Sequence, residues 1–378
     1  MKSETLAVIE THPIQYHAPV YRVLQQQFGV PVTAIYGSDF SVKGYRDKEF
    51  GVTFAWDTDL LGGYTSRFLS ESSLSLAAHL REVAPAAVLV VGYSPRFHRD
   101  AFFQAWRGGY PILFRAETTD HARSRSSLKS WSRDRALQWY YSRCARLLYI
   151  GEQSRAHYRR LGCAEEKLIF APYCVDTTPF ACDAASRQRL RAETRAQLGI
   201  PAEQRVALFV GKLSTRKGPD LLLQALPPGW AAIFVGDGEL RAELARQAGQ
   251  RAIHFVGFQN QTQLSRYYHA ADVFALPSVA SETWGLVVNE ALHHGVPVVV
   301  SDAVGCAPDL VVPGKTGEVC ATGSVMALQA ALLRAVAVPG ALAQCQAHIA
   351  GYTVEKAAAG IAQALADVAQ REPVMCRV

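Results

Sequence analysis

The chain has 378 residues, 49% of them apolar, and 39 Lys and Arg against 33 Asp and Glu give a formal net charge of +6. This length suffices for two domains with full cores, and the composition excludes a disordered, collagen-like or small disulfide-linked protein. The eight cysteines form no Cys-x-x-Cys pair, so we expect free thiols in a reducing compartment.

The first residues carry an acid and lead directly into a strand-like segment, which is not the pattern of a secretory signal. The apolar runs stay far below the roughly 20 residues that a membrane span requires. We therefore expect a cytoplasmic protein without a transmembrane segment.

Short apolar runs alternate with amphipathic segments along the whole chain. In the first half, the pattern predicts strands at 6–10, 30–36, 87–91, 112–115, 147–150 and 167–171. In the second half, it predicts strands at 206–210, 231–235, 253–256, 273–276 and 296–301, each followed by a helical segment. Continuous Val, Ile and Leu runs flanked by helices are typical of parallel strands that are buried on both faces. The sequence thus predicts an α/β protein with two doubly wound, Rossmann-like domains.

A proline-containing segment at 173–183 marks the expected hinge. We place the domain boundary near residue 180, so that one domain covers 1–180 and the other covers 181–355. The remaining residues, 356–378, contain an Ala-rich segment with helical spacing that is expected to pack back across the domain interface.

The strongest motif is SETWGLVVNEA at 281–291, which carries Glu282 and Glu290 eight positions apart. Gly285 lets a ligand approach the backbone, and a helix that begins there offers free N–H groups to an anion. A carboxylate accepts hydrogen bonds from two neighbouring hydroxyls, which suits a sugar or a ribose. The alternative is that Glu282 caps the helix and Glu290 lies on an exposed face.

A second motif, VGKLSTRKG at 210–218, follows a predicted strand and opens a helix. Lys212 and Lys217 flank this turn and can converge on one polyanion, where they would stabilise a departing diphosphate. The spacing is not that of a Walker A loop. The alternative is a basic surface turn.

With these two motifs, the chain resembles retaining glycosyltransferases of family 4, of the type that acts on bacterial cell-envelope polysaccharides. Three later segments fit the same pattern: VGDG at 235–238, VGF at 256–258 and PGKTG at 313–317. Two segments of the first half resemble a bacterial branch of this family: THPIQYHAP at 11–19 and WDTDLLGGY at 56–64.

The resemblance implies a GT-B fold, in which an N-terminal acceptor-binding domain faces a C-terminal nucleotide-sugar-binding domain across a cleft. It implies that Glu282 holds the donor sugar, Glu290 the ribose, and Lys212 and Lys217 the phosphates. The family usually has Arg where this chain has Lys212, so the charge is kept without the bidentate fork. The expected donor-site residues are Gly211, Lys212, Lys217, Gly236, Phe258 near the base, Glu282, the backbone of Trp284, Gly285, Leu286 and Val287 at the diphosphate, Glu290, and His12 from the first domain.

Such enzymes are thought to work by front-face departure of the nucleotide diphosphate, which needs no strong protein nucleophile, no metal and no cofactor. A polar group from the first domain is expected after the strand at 112–115, and Glu117, Asp120 and His121 follow it there. Glu117 or His121 would assist the acceptor, with Glu282 and Lys217 completing the catalytic set. The alternative for each is a loop residue that shapes the turn.

Asp57-Thr58-Asp59 has the DxD pattern of a metal site in the other major glycosyltransferase fold, but it lies outside the donor half, and we expect no metal there. Gly236-x-Gly238 lacks the third glycine of a dinucleotide fingerprint, so we expect no nicotinamide cofactor.

Residues 96–160 hold 14 Lys and Arg against 5 Asp and Glu, interleaved with the aromatic residues Trp106, Trp131, Trp139, Tyr140 and Tyr141. This combination suits an anionic membrane surface or a lipid-diphosphate acceptor, and the alternative is a solvated helical face above buried aromatics. No recognition motif for nucleic acid accompanies it.

Two other functions stay open at this point. One is another GT-B enzyme, such as a sugar-nucleotide 2-epimerase or a phosphorylase. The other is a catalytically silent sugar-nucleotide-binding partner in a larger assembly.

Overall fold

The computed structural model describes residues 4–42, 44–46, 53–54, 56–118, 120, 127–280 and 282–370. The elements of the first half are β1 (Leu6–Glu10), α1 (Ala18–Gln27), β2 (Val32–Tyr36), β3 (Tyr45–Arg46), β4 (Thr53–Phe54), β5 (Thr65–Phe68), α2 (Leu76–Val83), β6 (Ala87–Val91), α3 (Arg96–Arg107), β7 (Ile112–Arg115), α4 (Ser127–Ser142), β8 (Arg146–Tyr149), α5 (Glu152–Arg160) and β9 (Leu168–Phe170).

Seven of these strands form one parallel sheet in the order β5-β2-β1-β6-β7-β8-β9. The central strand β1 is buried along its whole length because helices cover both faces of the sheet. The strands predicted at 6–10, 87–91 and 112–115 are confirmed with these bounds. The sequence did not predict β5, because Thr65–Phe68 is a short edge strand with polar residues.

The elements of the second half are α6 (Ala184–Gln197), β10 (Val206–Val210), α7 (Pro219–Ala225), β11 (Ala231–Val235), α8 (Arg241–Ala248), β12 (Ile253–Gly257), α9 (Gln261–Ala270), β13 (Val273–Leu276), α10 (Leu286–His293), β14 (Val298–Ser301), α11 (Ala307–Leu310), β15 (Gly317–Cys320), α12 (Val325–Ala335), α13 (Ala341–Ile349) and α14 (Val354–Ala369). Six strands form a second parallel sheet in the order β12-β11-β10-β13-β14-β15. Two parallel sheets, each with helices against it, confirm the predicted α/β fold of two Rossmann-like domains.

The last helix, α14, packs against the first sheet, although it follows the second sheet in sequence. Its buried residues share one core with β1 and α1, and Ile361 is completely buried there. Gly360 permits this contact, because a Cβ atom at that position would lie 2.0 Å from the carbonyl oxygen of Phe170. The side chain of Arg146 adds an ion pair with Asp367 at 3.0 Å. The chain therefore crosses between the two domains twice.

A contact between the domains lies at the start of α5. Gly151 has no side chain to cap this helix, and the carboxylate of Asp309 in α11 accepts a hydrogen bond from the backbone N–H of Glu152 at 2.9 Å. Burial raises the pKa of Asp309 to about 6. The ring of Trp284 packs directly on Gly151, where an added Cβ atom would lie 2.4 Å from it. The second domain thus supplies both the cap and the packing for a helix of the first.

Within the described residues, no helix is long and apolar enough to cross a membrane. The seven cysteines that lie in this part of the chain are free thiols, and five of them are buried.

Candidate functional site

Two loops at the carboxyl ends of β10 and β11 form the floor of a cleft. Gly211 follows β10, and Gly236 follows β11 with a φ of 127°. A Cβ atom on Gly236 would lie 2.0 Å from the carbonyl oxygen of Gly211, so the two backbones touch where a side chain has no room. Because neither glycine carries a side chain, a ligand can reach the backbone of both loops. The loops lie at the carboxyl ends of parallel strands, where open α/β sheets bind their ligands.

The cleft has a volume of about 270 Å³ and is open to solvent on one side. Seven of the expected donor-site residues surround it, namely Gly211, Lys212, Lys217, Gly236, Phe258, Val287 and Glu290. Gln15, Tyr16 and Trp56 of the first domain line the same cleft. The site therefore lies between the domains, with most of its residues on the second.

Glu290 lies inside α10 with 2% of its surface exposed. Its carboxylate accepts hydrogen bonds from the Tyr268 hydroxyl at 2.7 Å and from the Gln261 side-chain amide at 3.2 Å. Burial raises the pKa of Glu290. The expected alternative, a residue on an exposed helical face, is thus wrong, and the carboxylate is held rigidly at the wall of the cleft.

Glu282 lies in the loop before α10, and its carboxylate forms an ion pair with the ammonium group of Lys217. The hydroxyl of Ser278 donates to the same oxygen at 3.2 Å, and Arg216 lies 3.7 Å from it. These contacts bring the two sequence motifs together, although Lys217 and Glu282 are 65 positions apart. Lys217 lines the cleft, whereas Glu282 is not among the lining residues and is joined to the cleft through this ion pair. A cation and a carboxylate so paired can bind a phosphate and a hydroxyl side by side.

The start of α10 has the geometry that the motif predicts. Gly285 precedes the helix with a φ of 99°, and Leu286 is its first residue. The side chain of Trp284 is buried between the domains, where its indole N–H donates to Asn289 at 2.9 Å and its ring packs against Tyr173. Any ligand contact of Trp284 therefore uses its backbone, while its side chain anchors the loop.

Glu117 follows β7 of the first domain and reaches the donor loop. Its carboxylate accepts hydrogen bonds from the hydroxyls of Tyr173 and Thr283, each at 2.5 Å. Because Thr283 follows Glu282 in the chain, Glu117 contacts the loop that carries Glu282.

The same loop carries two other candidates, Asp120 and His121. His121 lies outside the described residues. Burial favours the neutral form of Asp120, but hydrogen bonds from Arg160 and His157 lower its pKa to about 2. Asp120 is thus engaged in an ion-pair network, and its place as a candidate polar group of the reaction stays a prediction.

His12 follows β1, and its ring lies 4.3 Å from that of Phe40. The His12 Nδ1 atom is 2.8 Å from the hydroxyl of Thr11. Burial lowers the pKa of His12, which favours its neutral form. The structure does not place His12 among the residues that line the cleft.

Sequence reasoning missed the cleft residues Gln15, Tyr16 and Trp56. All three lie in the two first-half segments that carry the family resemblance, and this was the available signal. It also missed Glu10, a buried residue whose carboxylate lies 2.5 Å from His17 Nδ1 and accepts from the Tyr21 hydroxyl at 2.9 Å.

The two carboxylates of the Asp57-x-Asp59 motif have separate partners. Asp57 accepts hydrogen bonds from Thr262 of the other domain. Asp59 accepts from the backbone N–H groups of Leu61 and Gly62, and these bonds lower its pKa. Across the part of the chain that the structure describes, no three His, Cys, Asp or Glu residues group as metal ligands.

The basic region at 96–160 divides into two parts. Several arginines pair with acids: Arg160 with Asp120 and Asp134, and Arg155 and Arg159 with Glu165. On α3 and α4, by contrast, aromatic rings are exposed to solvent. Trp106 and Trp139 contact each other with 40% and 37% of their surfaces exposed, and the Arg143 guanidinium lies over both rings.

Comparison with known proteins bears on the second domain most strongly. Residues 191–348 match the family model described as "Glycosyl transferases group 1". A D-inositol 3-phosphate glycosyltransferase of Corynebacterium aurimucosum is 37% identical over 145 residues, which is 34% of this chain and 34% of that protein. A protein of the same description from Mycobacterium tuberculosis is 40% identical over 140 residues, 34% of this chain and 28% of its own. The match with this chain thus spans about a third of the length of these curated relatives.

Solved structures resemble the whole chain. HepE from Anabaena in complex with UDP has a TM-score of 0.73 at 18% identity, covering 96% of this chain and 100% of that one. A glycosyltransferase from Rickettsia africae has a TM-score of 0.73 at 12% identity, with coverages of 98% and 100%. WaaG, a glycosyltransferase involved in lipopolysaccharide biosynthesis, has a TM-score of 0.66 at 17% identity, with coverages of 95% and 99%. Together with the two parallel sheets, these likenesses show the GT-B fold.

Proposed function

We propose that this protein is a retaining glycosyltransferase of family 4, which moves a sugar from a nucleotide-sugar to a hydroxyl of a glycan or lipid-linked acceptor in bacterial polysaccharide biosynthesis. The observation that carries the proposal is the convergence of Lys212, Lys217, Phe258 and Glu290 on one interdomain cleft. The family match of the second domain supports the reaction class, and the UDP complex of HepE supports the donor class.

In this proposal, the nucleotide lies along the wall of the second domain. The ribose hydroxyls bind the carboxylate of Glu290, which Tyr268 and Gln261 hold in place. The diphosphate lies over the glycine loops and the start of α10, where the helix dipole and Lys212 and Lys217 favour negative charge. The sugar then reaches Glu282.

The Lys217–Glu282 ion pair is formed in the empty site, and it gives way to ligand contacts when the donor binds. A diphosphate competes with Glu282 for the ammonium group, and the carboxylate oxygens that it frees can accept hydrogen bonds from sugar hydroxyls. Both groups are held by residues of one domain, so little reorganisation is needed when charge develops on the departing diphosphate.

The acceptor hydroxyl approaches from the first domain, on the same face of the donor sugar from which the diphosphate departs. Glu117 is placed beside the donor loop by Tyr173 and Thr283, and it can accept the proton of that hydroxyl. His121 stays a second candidate for this role. We expect the reaction to need no metal ion and no cofactor.

For the acceptor, we also propose peripheral binding at the inner face of the cytoplasmic membrane. The exposed rings of Trp106 and Trp139 with the Arg143 guanidinium support it, because aromatics and basic groups together suit the interface of an anionic lipid layer. A lipid-linked acceptor would be presented from the same surface.

The experiment is an assay of donor turnover with the purified protein and UDP-, GDP- and ADP-sugars. We expect slow hydrolysis of one donor without acceptor and transfer when an acceptor glycan is added, with the anomeric configuration kept. Conversion of the donor sugar without release of the nucleotide would instead identify an epimerase. Phosphate-dependent cleavage of a glycan would identify a phosphorylase, and binding without any turnover would identify a silent partner.

A further inference from the structure

One segment of the first domain, at 56–57, reaches over the donor cleft and contacts the second domain at two adjacent residues. Trp56 lines the cleft opposite Phe258, and the centroids of the two rings are 6.5 Å apart at an angle of 59°. The next residue, Asp57, binds the start of α9. Both contacts come from the WDTDLLGGY segment, whose DxD pattern we do not expect to bind a metal.

Asp57 acts on a helix of the opposite domain. Its Oδ2 atom accepts hydrogen bonds from the backbone N–H of Thr262 at 3.2 Å and from the Thr262 hydroxyl at 2.6 Å. Thr262 is the second residue of α9, where the backbone N–H groups lack partners within the helix. A carboxylate at this position satisfies one of them and interacts favourably with the helix dipole.

The same helix end leads to the wall of the donor site. Gln261, the first residue of α9, donates its side-chain amide to Glu290 at 3.2 Å. Gln261 also lines the cleft together with Trp56 and Phe258. Asp57 is therefore bound one residue away from the group that orients the proposed ribose-binding carboxylate.

We infer that Trp56 and Asp57 form a clasp that grips the nucleobase of a nucleoside diphosphate and holds the two domains together around it. Two rings at 59° make an open corner, in which a flat heteroaromatic base can lie on the face of one ring and meet the edge of the other. Aromatic stacking accepts any base, so the clasp adds affinity for the nucleoside without choosing among bases.

This inference rests on the proposed function, since it assumes a nucleotide in the cleft. It adds that the first domain, and not only the second, binds the nucleoside part of the donor. A ligand that contacts both domains binds the closed arrangement more tightly than an arrangement in which the domains are apart. Nucleotide binding and domain closure are therefore coupled. Phosphate alone, which reaches neither Trp56 nor Phe258, would not be held in this way.

The test compares two probes by titration calorimetry: inorganic pyrophosphate and whichever of UDP, GDP and ADP stabilises the wild type most. We expect Trp56→Ala to lower the affinity for the nucleoside diphosphate by about 10- to 100-fold, the range that follows from the loss of one stacked base. Pyrophosphate affinity should stay within about twofold of the wild type. Trp106→Ala is the matched control, because it removes a partly exposed tryptophan that does not line the cleft.

Three further variants separate the stacking contact and the Asp57–Thr262 contact from a folding defect. Trp56→Phe keeps an aromatic face and should retain most of the affinity that Trp56→Ala loses. Asp57→Ala removes both hydrogen bonds with Thr262 and should weaken binding of the nucleoside diphosphate by about threefold, whereas Thr262→Val keeps the backbone N–H bond and should weaken binding less. The double variant should lose little more than Asp57→Ala, because Asp57 is the acceptor in both bonds.

The failures are distinguishable. If the wild type binds none of the three nucleoside diphosphates, the proposed function fails. If it binds one of them and Trp56→Ala binds it as tightly, the clasp is wrong while the proposed function stands. Equal losses for Trp56→Ala and Trp56→Phe, or equal losses for the nucleotide and pyrophosphate, would also overturn the clasp.

Discussion

Glu282 and Glu290 belong to one motif, but their surroundings give them different chemistry. Glu290 is buried and accepts from two neutral donors, Tyr268 and Gln261, and burial raises its pKa. Glu282 is paired with the cation of Lys217. A fixed acceptor suits a ribose that is the same in every donor, whereas an exchangeable ion pair suits the group that must respond to the leaving diphosphate.

Replacing Glu282 tests its assignment to the sugar. We expect Glu282→Ala to lower transfer by about 100-fold or more, the order of loss seen when one preorganised electrostatic contact is removed. Affinity for the nucleoside diphosphate should not fall, because Lys217 remains and no longer has Glu282 as a competing partner. Turnover is measured by release of the nucleotide, with Glu203→Ala as a control at an exposed carboxylate of the same domain. Unchanged turnover in Glu282→Ala would refute the assignment.

Lys217 should act on the phosphates alone. Lys217→Ala is expected to lower the affinity for the nucleoside diphosphate by about 10-fold or more, since a charge-assisted contact at a partly buried site is lost. The free nucleoside should bind as before. Lys315→Ala, at an exposed turn of the same domain, is the control in the same titration. Equal weakening of both ligands would argue against a phosphate contact.

Sequence alone could predict these side chains but not their partners. The eight-residue spacing of Glu282 and Glu290 identified both, yet the Lys217–Glu282 pair joins residues that only the second sheet brings together. The role of Trp284 was harder still. Its side chain packs on Gly151 and Tyr173, so its burial depends on where the first domain lies.

At the scale of elements, each domain caps a helix of the other. Asp57 of the first domain binds the start of α9, and Asp309 of the second binds the start of α5. Both are carboxylates at helix N-termini, where negative charge is favoured. The two contacts differ in exposure, since Asp57 is exposed and Asp309 is buried. We expect the Asp57 contact to open and close and the Asp309 contact to persist.

The Asp309 contact gives a pH dependence of known sign. The pKa of Asp309 is about 6 in the folded protein, above its ordinary value of 3.8. Between these values the folded state binds more protons than the unfolded state, so this group lowers the free energy of unfolding as the pH rises from about 4 to 6. Asp309→Asn removes that dependence.

We therefore expect the melting temperature of the wild type, compared with Asp309→Asn, to rise as the pH falls from 7 to 4. Calorimetric melting of both proteins across this range is the measurement, and Asp302→Asn serves as a control at a more exposed aspartate. Parallel curves for the wild type and Asp309→Asn would show that Asp309 does not titrate in this way.

The elements themselves were predictable to the extent that they lie in the core. Central strands such as β1 and β10 are uninterrupted apolar runs, and their bounds were predicted from this pattern. The edge strands β5 and β15 carry polar residues and were therefore not predicted from this pattern. The position of α14 on the first sheet is a tertiary contact, and its Ala-rich pattern predicts a helix but not which sheet the helix covers.

At the scale of the whole molecule, the net charge of +6 is not spread evenly. The basic region at 96–160 carries the excess, and ion pairs with Asp120, Asp134 and Glu165 neutralise part of it. The exposed rings of α3 and α4 then distinguish one surface of the first domain. The predicted alternative, aromatics buried beneath a solvated face, holds for Tyr140 and Tyr141 and is wrong for Trp106, Trp131 and Trp139.

This surface should bind vesicles through both its rings and its charge. We expect the double variant Trp106→Ala and Trp139→Ala to reduce sedimentation with vesicles that contain anionic phosphatidylglycerol, because interfacial aromatics are lost. Binding should weaken as the anionic fraction falls. Met326→Ala, at an exposed apolar residue of the second domain, is the control. Binding that ignores both the variant and the lipid charge would count against a membrane surface.

The central claim is that the interdomain cleft holds a nucleotide-sugar, and a thermal-shift panel tests it most directly. A ligand that binds only the folded state at 100 times its Kd adds about 3 kcal/mol of stability. We predict that the sugar nucleotides of one base, whether UDP-, GDP- or ADP-sugars, raise the melting temperature by several degrees. Glu290→Ala should remove most of this rise. No shift with any of them at millimolar concentration, or an equal shift in Glu290→Ala, would contradict the account.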